Sequence, residues 1–593
     1  MATQTVEQSV QVADFTTSES ARSRDGETAP RHSGRWVRVI AGATASLFFL
    51  VVYLLRLDHV AGMVGDDALY ILLARAMAEG QGFNLINSPI PGILPVYPPG
   101  FPLVLAIVFR FIPQFPDNLW LLKVVSIAAM YATGLVTYCY LKRYRNLSPQ
   151  LALGVAITSV IMPAFVFLAT STVMAECVYT LCQLLTIVAI ERCVEKGKEQ
   201  GDWSGALTGA ALAAFTFLVR SMGIGLVAAV FVYLVRKKLW RTAGMFTAGV
   251  ILFTAPWLAY TRIHATKAEQ IQLYGGSIAY GYSHHFWLRR AGDDNSGSVT
   301  WRDLPQRIRE NTLDILGRDV GGIIVPALFR GAEESGQEVF AMGYNSGMQG
   351  GSMGMTTGTM WLSLLLSAVA IFGYILVVRQ RMTLAEIVVP VSLLITVIWP
   401  WWPFRFVLPL APWLIFYMLT GLSGIHQLSQ RWLPVNSSPI PGLRVFLICV
   451  IALYGYDHVH YLLLKNQSAS EKQPEWLREF EETRGLLQWM REKLPCDTVI
   501  ASNGPAMVYL YTGYRALAVD NPAGNWENWK KTGVRYVAIL KPYAITPFDG
   551  RSDCSQVIYQ TSRLNLRVID LGAPESRGKW KDIQIISSVR RPG

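Results

Sequence analysis

Two adjacent carboxylates, Asp66 and Asp67, open the stretch GDDALYILLARAMAEGQGF, directly after a long apolar run. Neighbouring carboxylates repel each other and lose solvation at such a boundary, which favours the protonated form of at least one. A general base or a cation site could use the pair. An Asp ahead of a helix also serves as an N-cap. A third acid, Glu176, stands in FLATSTVMAECVYTLCQ between two apolar segments. Arg220, in FLVRSMGIG, interrupts apolar sequence in the same way, and Arg405, in WPWWPFRFVLPLAPW, repeats the situation. Each Arg wants an anionic partner. A phosphate fits the guanidinium fork, and so does a carboxylate of the chain itself. Trp399, Trp401 and Trp402 beside Arg405 read as an interfacial belt, or as surfaces that stack on a sugar ring or line a lipid tail. His284, His285, Asp293 and Asp294 could bind a metal, but neither pair has the i, i+4 spacing of a helical ligand set. YPPGFP, 97–102, is a turn made rigid by its prolines.

The elements that must carry these residues are apolar helices. Of the 593 residues, 52% are hydrophobic and 16% charged, against about 25% charged in soluble domains. That composition excludes a disordered chain, a collagen-like one and an ordinary soluble enzyme. It points to a polytopic α-helical membrane protein with room for one soluble domain. Apolar stretches fall near 36–56, 119–141, 151–170, 177–191, 204–219, 221–235, 242–260, 360–378, 384–399, 406–424 and 443–463. The expectation is about eleven transmembrane helices of roughly 17–25 residues. The apolar stretch 101–112 carries Arg110 and is too short to cross, so it reads as a re-entrant or interfacial helix. At membrane depth, Glu176 is functional by default, or else a carboxylate snorkelling from a short turn.

Basic residues set the orientation. Arg31, Arg35 and Arg38 precede the first span and make the N-terminus cytoplasmic. Lys142, Arg143 and Arg145 mark the next cytoplasmic loop, followed by Lys196 and Lys198, by Arg236, Lys237, Lys238 and Arg241, by Arg379 and Arg381, and by Arg431 and Arg444. The net charge of +12 is therefore orientation information first. There is no basic face with interleaved aromatics, so no nucleic-acid partner is expected. Residues 1–34 read as a disordered cytoplasmic tail, 35–464 as the transmembrane domain with outer loops 57–118 and 261–358, and 465–593 as an extracytoplasmic α/β domain. The first apolar run is too long and too far in for a cleavable signal peptide and reads as an anchor.

In the tail, PEWLREFEETRGLLQWMREKL has helical periodicity, and DTVIAS, RALAV, VRYVAIL, SQVIYQ, LRVIDL and DIQIISSV read as short strands. Further helices are expected around 504–512 and 524–532. Cys496 and Cys554 could pair there, since the tail lies outside the cytoplasm; the other cysteines sit in or near apolar segments. The Gly/Met-rich stretch 343–355 reads as a linker or a lid.

These pieces, in this order, carry a likeness. GDDALYILLARAMAEGQGF after the first span, YPPGFPLVLA, the acidic Glu176, LVRSMGIG and FRFVLPLAPW cover about residues 36–425. Together they resemble the GT-C superfamily of integral-membrane glycosyltransferases, the branch of protein O-mannosyltransferases and the lipid A aminoarabinose transferase. The tail, with VIASNGPAMVYLYTGYRALAV, looks like the periplasmic domain of many bacterial members.

The resemblance implies a transferase whose donor is a sugar on a polyprenyl phosphate, acting on the outer face of a bacterial inner membrane. It places the catalytic carboxylate on Asp66, with Asp67 where many members have Glu. Glu176 matches the second acidic position, and Arg220 and Arg405 match basic positions near the donor phosphate. Relatives often place a Lys near the Pro-Pro turn; here Tyr97 stands before it. On this reading Asp66 takes the proton from an acceptor hydroxyl or amine, and a single displacement inverts the anomeric carbon. The two Arg neutralise one phosphate, so no metal and no other cofactor is expected. The acceptor could be lipid, glycan or protein. The rivals are a transporter or flippase of a lipid-linked sugar, a glycan-binding scaffold, and an oligosaccharide-transferring ligase of the same superfamily. A transporter predicts internal repeats with interrupted helices, and the sequence displays none.

Overall fold

The computed structural model describes residues 33–90, 92–196, 203–265, 267, 280–289, 297–326, 357–401, 403–430, 438–466, 475–519, 529, 531–540 and 556–571. Trp402, Asp293, Asp294, Cys554, the stretch 343–355 and the expected strand in DIQIISSV lie outside them.

Apolar runs of about 20 residues satisfy their backbone groups internally only as helices. Seven described helices are long and apolar enough to cross a membrane: Val39–Arg56, Leu119–Tyr144, Glu176–Lys196, Trp240–Ile263, Gly358–Gln380, Phe404–Gln430 and Ile440–Lys465. Pro149–Ile161 and Pro163–Thr170 make an eighth if counted together across a 50° bend. Pro163 explains the bend, because proline removes a backbone donor and drives the residue before it out of the helical region; Met162 sits at φ −52°, ψ 131°. Among the described residues, length and composition thus identify seven or eight of the eleven expected spans. The other three expected segments are the helices Trp203–Val219, Gly223–Arg236 and Ala385–Ile398, of 17, 14 and 14 residues. They fall at or below the lower end of the ~17–25 residues of a crossing helix, because the chain breaks at 220–222 and again at Trp399. The 12-residue helix Gly100–Phe111 is about 18 Å long at 1.5 Å per residue, well short of a bilayer core.

Burial orders the bundle. The most apolar window of Phe404–Gln430 is 83% buried and that of Glu176–Lys196 is 72%, whereas Val39–Arg56 is only 22% buried. The first two helices are central, and both begin with a charged residue or next to one. Val39–Arg56 turns Leu47, Leu50, Leu54 and Leu55 outward, the reverse of a water-facing helix and the arrangement lipid requires. Close backbone approach is concentrated where Thr357–Gln380 crosses Ala411–Gln430. A Cβ on Gly373 would lie 1.8 Å from the Tyr417 carbonyl oxygen, so this small-residue crossing admits only glycine.

Among the described residues the C-terminal part holds a sheet of five strands: β1 (Val499–Ser502), β2 (Ala516–Ala518), β3 (Val534–Ile539), β4 (Gln556–Gln560) and β5 (Arg567–Asp570). The order is β2-β1-β3-β5-β4. β1 is parallel to β2 and β3, and β5 is antiparallel to β3 and β4. The helices Glu475–Lys493 and Pro505–Thr512 accompany it. This unit sits on the turn that precedes Asp66. Met507 meets Gly62, where an added Cβ would be 3.1 Å from its Cγ. The Tyr511 hydroxyl donates to the Ala61 carbonyl at 3.2 Å, and His59 contacts Glu481 at 2.7 Å. At the sheet edge, the Ala516 N–H donates to the Asn87 carbonyl at 2.7 Å, and the Asn87 amide donates back to the Ala516 carbonyl at 3.1 Å.

Candidate active site

The two adjacent aspartates have different surroundings. Asp67 is fully buried. Its Oδ2 accepts from the Gly62 N–H at 2.7 Å, and its Oδ1 accepts from the N–H groups of Gly65 and Ala68 at 3.1 and 3.0 Å. It closes the turn 60–65 onto the start of the helix Asp66–Ala78, and Gly62 and Gly65 both hold φ +93° to allow it. Asp66 is one step, about 100°, round the helix, and its side chain is 32% exposed. The Tyr97 hydroxyl donates to Asp66 Oδ1 at 2.6 Å, and Arg405 Nη1 donates to Asp66 Oδ2 at 3.1 Å.

Tyr97 owes its place to the proline turn. A Cβ on Gly100 would lie 2.6 Å from the backbone carbon of Leu218, so the turn rests directly on the chain two residues before Arg220. The phenol is pushed well above its ordinary range, first by burial and then by the Asp66 charge. It stays protonated and donates.

Arg220 stands at the break between Trp203–Val219 and Gly223–Arg236. Its guanidinium lies over the Phe406 ring at 4.8 Å, and its Nη1 is 3.1 Å from Glu176 Oε1. Arg405 lies in the short helix Phe404–Val407, after the tryptophan turn. It reaches the same Glu176 Oε1 through Nε at 2.8 Å and Nη2 at 2.6 Å. Glu176, the first residue of its helix, is 1% exposed. Asp66, Tyr97, Glu176, Arg220 and Arg405 therefore form one connected cluster, drawn from five separate stretches of sequence. Its formal charge is zero: two carboxylates and two guanidiniums.

The long loop supplies a neighbour that sequence reasoning passed over. The helix Tyr282–Trp287 brings the Tyr282 hydroxyl to the Val96 carbonyl at 2.7 Å and to the Ser221 hydroxyl, beside Tyr97 and Arg220 respectively. Its ring lies 6.0 Å from that of Trp399. The helix is tied down by Arg307, which donates to the carbonyls of Phe286 and Leu288 at 2.9 and 2.7 Å. Trp399 and Trp401 are half-buried. His284 stacks on Tyr280 and His285 is buried. Among the described residues no group of three or more His, Cys, Asp or Glu gathers in a way that could hold a metal. Asp58, Lys123 and Ser171, taken up below, were also missed. Lys123 carries the signal that singled out Arg220, a lone cation in an apolar run, LWLLKVV.

Residues 96–260 match the family model of dolichyl-phosphate-mannose-protein mannosyltransferases. No curated protein sequence matches the chain. Among solved structures, the archaeal oligosaccharyltransferase AglB from Archaeoglobus fulgidus, in complex with an inhibitory peptide and a dolichol-phosphate, is similar at 12% identity and TM-score 0.51, covering 85% of this chain and 69% of that one. The same enzyme tethered to an acceptor peptide matches at 13% identity and TM-score 0.50, with the same coverage of each chain. ArnT from Cupriavidus metallidurans bound to undecaprenyl phosphate is similar at 13% identity and TM-score 0.42, covering 91% of this chain and 98% of that one. At these identities the likeness is one of fold. A multi-pass helical bundle and a small C-terminal sheet domain agree with the two archaeal structures: the chain is a multi-pass membrane protein with the fold of that oligosaccharyltransferase.

Proposed function

We propose that the protein is a glycosyltransferase that moves a sugar from a polyprenyl-phosphate donor to an acceptor on the outer face of a bacterial inner membrane, with inversion. One observation carries the reading: a partly exposed carboxylate, Asp66, shares a cluster with two guanidiniums held together by a buried acid, Glu176. The dolichol-phosphate named for the archaeal oligosaccharyltransferase of the same fold supports a lipid-linked donor. The outward orientation rests on the basic loops at 142–145, 236–241 and 379–381.

In the resting cluster each guanidinium already has a carboxylate partner. A donor phosphodiester brings one further negative charge, so it must displace a partner. The 3.1 Å bond from Arg405 to Asp66 is the longest of the three that Arg405 makes here, and Glu176 keeps its grip through Nε and Nη2. The phosphate takes that Nη1 and the open side of Arg220, and Asp66 is released as a base. Asp66 then accepts the proton of the acceptor hydroxyl or amine as its oxygen or nitrogen attacks the anomeric carbon. The bond from that carbon to the phosphate oxygen breaks, and Arg220 and Arg405 hold the charge of the departing polyprenyl phosphate. Tyr97 orients Asp66 by its hydrogen bond. The guanidinium pair carries the phosphate charge in this scheme, which invokes neither metal nor cofactor.

The test is transfer of labelled sugar from a panel of polyprenyl-phosphate donors by membranes holding wild-type or Asp66→Asn protein. The expected result is transfer by the wild type and loss in the variant at equal protein level. Unchanged transfer by Asp66→Asn removes that residue from the chemistry. The likeness to an oligosaccharyltransferase favours a second reading, transfer of a preassembled oligosaccharide, and donors carrying one sugar or several separate the two.

A further inference from the structure

Resting on that reading, we propose that Lys123 is a positioning residue, a buried strut that fixes the loop delivering Asp66 against the loop delivering Glu176. Lys123 is the fifth residue of the helix Leu119–Tyr144 and is fully buried. Burying an ammonium is costly unless all its donors are used. Its Nζ reaches three oxygens: the Asp58 carbonyl at 2.7 Å, Asp58 Oδ1 at 2.8 Å and the Thr170 carbonyl at 2.8 Å. Three donors is the full capacity of the group.

Asp58 completes the joint. Its Oδ2 accepts from the Ser171 hydroxyl at 2.6 Å, its Oδ1 accepts from the Val60 N–H at 3.0 Å, and its own N–H donates to the Thr170 carbonyl at 3.3 Å. Asp58 begins the segment that turns through Gly62 and Gly65 into Asp66. Thr170 ends the helix Pro163–Thr170, and the chain from there runs straight to Glu176. One cation therefore grips the roots of both acid-bearing segments.

The placement matters at one stage of the cycle. At rest Arg405 spans the two carboxylates itself, touching Asp66 and Glu176 at once. In the proposed reaction Arg405 gives its Asp66 contact to the phosphate, and that tie is gone. The strut on the far side of both segments then keeps the base at its distance from the guanidinium pair. Catalytic groups are effective only within about half an ångström of the productive geometry, so a looser joint lowers turnover more than donor binding.

The experiment compares Lys123→Met, the doubly neutral Lys123→Met/Asp58→Asn, and Arg145→Met. Arg145 is a control from the opposite end of the bundle, where it pairs with the buried Glu386. Transfer kinetics per folded molecule and thermal stability are measured for each in lipid nanodiscs. The expected result is a drop in kcat of tenfold or more for both Lys123 variants, with donor KM within threefold. Arg145→Met loses stability with kcat within twofold of wild type. If neither Lys123 variant accumulates, Ser171→Ala decides, with an expected kcat loss of severalfold at normal yield. Wild-type kcat in the double variant, or in Ser171→Ala when it is the deciding variant, overturns the role of Lys123 and leaves the proposed function standing. Absence of transfer by the wild type across the donor panel overturns both.

Discussion

Replacing Arg405 by Lys keeps one positive charge and removes the fork. The guanidinium uses three nitrogens on two acids: Nη1 on Asp66 at 3.1 Å, and Nε and Nη2 on Glu176 at 2.8 and 2.6 Å. A lysine offers one nitrogen on a flexible stem, which keeps one bond to Glu176 and forfeits two contacts, the second to Glu176 and the Nη1 contact that passes from Asp66 to the phosphate in the proposed reaction. Charge-assisted hydrogen bonds contribute about 1.5–3 kcal/mol each, so the loss is about 3 kcal/mol at the lower bound. At about 1.4 kcal/mol per decade of rate, that is roughly a hundredfold in kcat. Loss of a single oxyanion donor in other enzymes costs about 2.7–4 kcal/mol, the same range. Arg220 makes one contact with Glu176 at 3.1 Å, which a lysine can keep, so by the same rule Arg220→Lys is expected to cost no more than about threefold. The assay is single-turnover transfer from the preferred donor in nanodiscs, with both variants normalised to folded protein. Arg405→Lys within threefold of wild type, or Arg220→Lys the more damaging of the two, refutes the assignment of Arg405 as the hub.

Other outcomes follow from the same geometry. Asp67→Ala removes the acceptor for three backbone N–H groups and should lower stability by about 3 kcal/mol, read as a fall in Tm, whereas Asp66→Asn should leave Tm nearly unchanged and abolish transfer. Tyr97→Phe should reduce kcat about tenfold, one hydrogen bond to a charged group, with little change in Tm. Because the folded phenol is held above its ordinary value of 10.0, the stability linked to Tyr97 is fully present below about pH 10 and is lost as pH rises further, when only the unfolded chain ionises; a Tm–pH series of wild type against Tyr97→Phe measures it. Saturating EDTA should leave transfer within twofold if the guanidinium pair alone carries the phosphate charge, and a tenfold loss restored by a divalent cation would refute that part of the scheme.

Individual residues show what the sequence could and could not disclose. Glu176, Arg220 and Arg405 were legible because an ion in apolar sequence is expensive and so informative. Their mutual pairing was not, since it joins helices far apart in sequence by contacts that no local pattern encodes. Asp66 and Asp67 were legible only as a pair. What separates them is helix phase, one turned into a glycine-rich bend and the other toward Tyr97 and Arg405. The membrane segments were visible from apolar runs, but their count was not. The break at Met162 bends a helix without interrupting the hydropathy, whereas the segments that end at Arg220 and Trp399 were visible but form helices of only 14–17 residues. Lys123 was passed over because a lone cation near the start of a 26-residue helix scarcely alters that helix's hydropathy, although its burial is what gives it meaning. Five of the expected tail strands appear as β1 to β5 because short alternating runs bounded by turns are a local signal.

The pairing of Asn87 with Ala516 has a consequence for the tail as a separate object. β2 is an edge strand, and an open edge invites another chain to pair with it. In the intact protein a loop from the membrane region occupies part of that edge. A tail cut away from the membrane region leaves the edge bare, together with the apolar side chain of Met507 that covers Gly62. Such a fragment should associate with itself through that edge, so its behaviour in solution is a poor guide to the domain it came from.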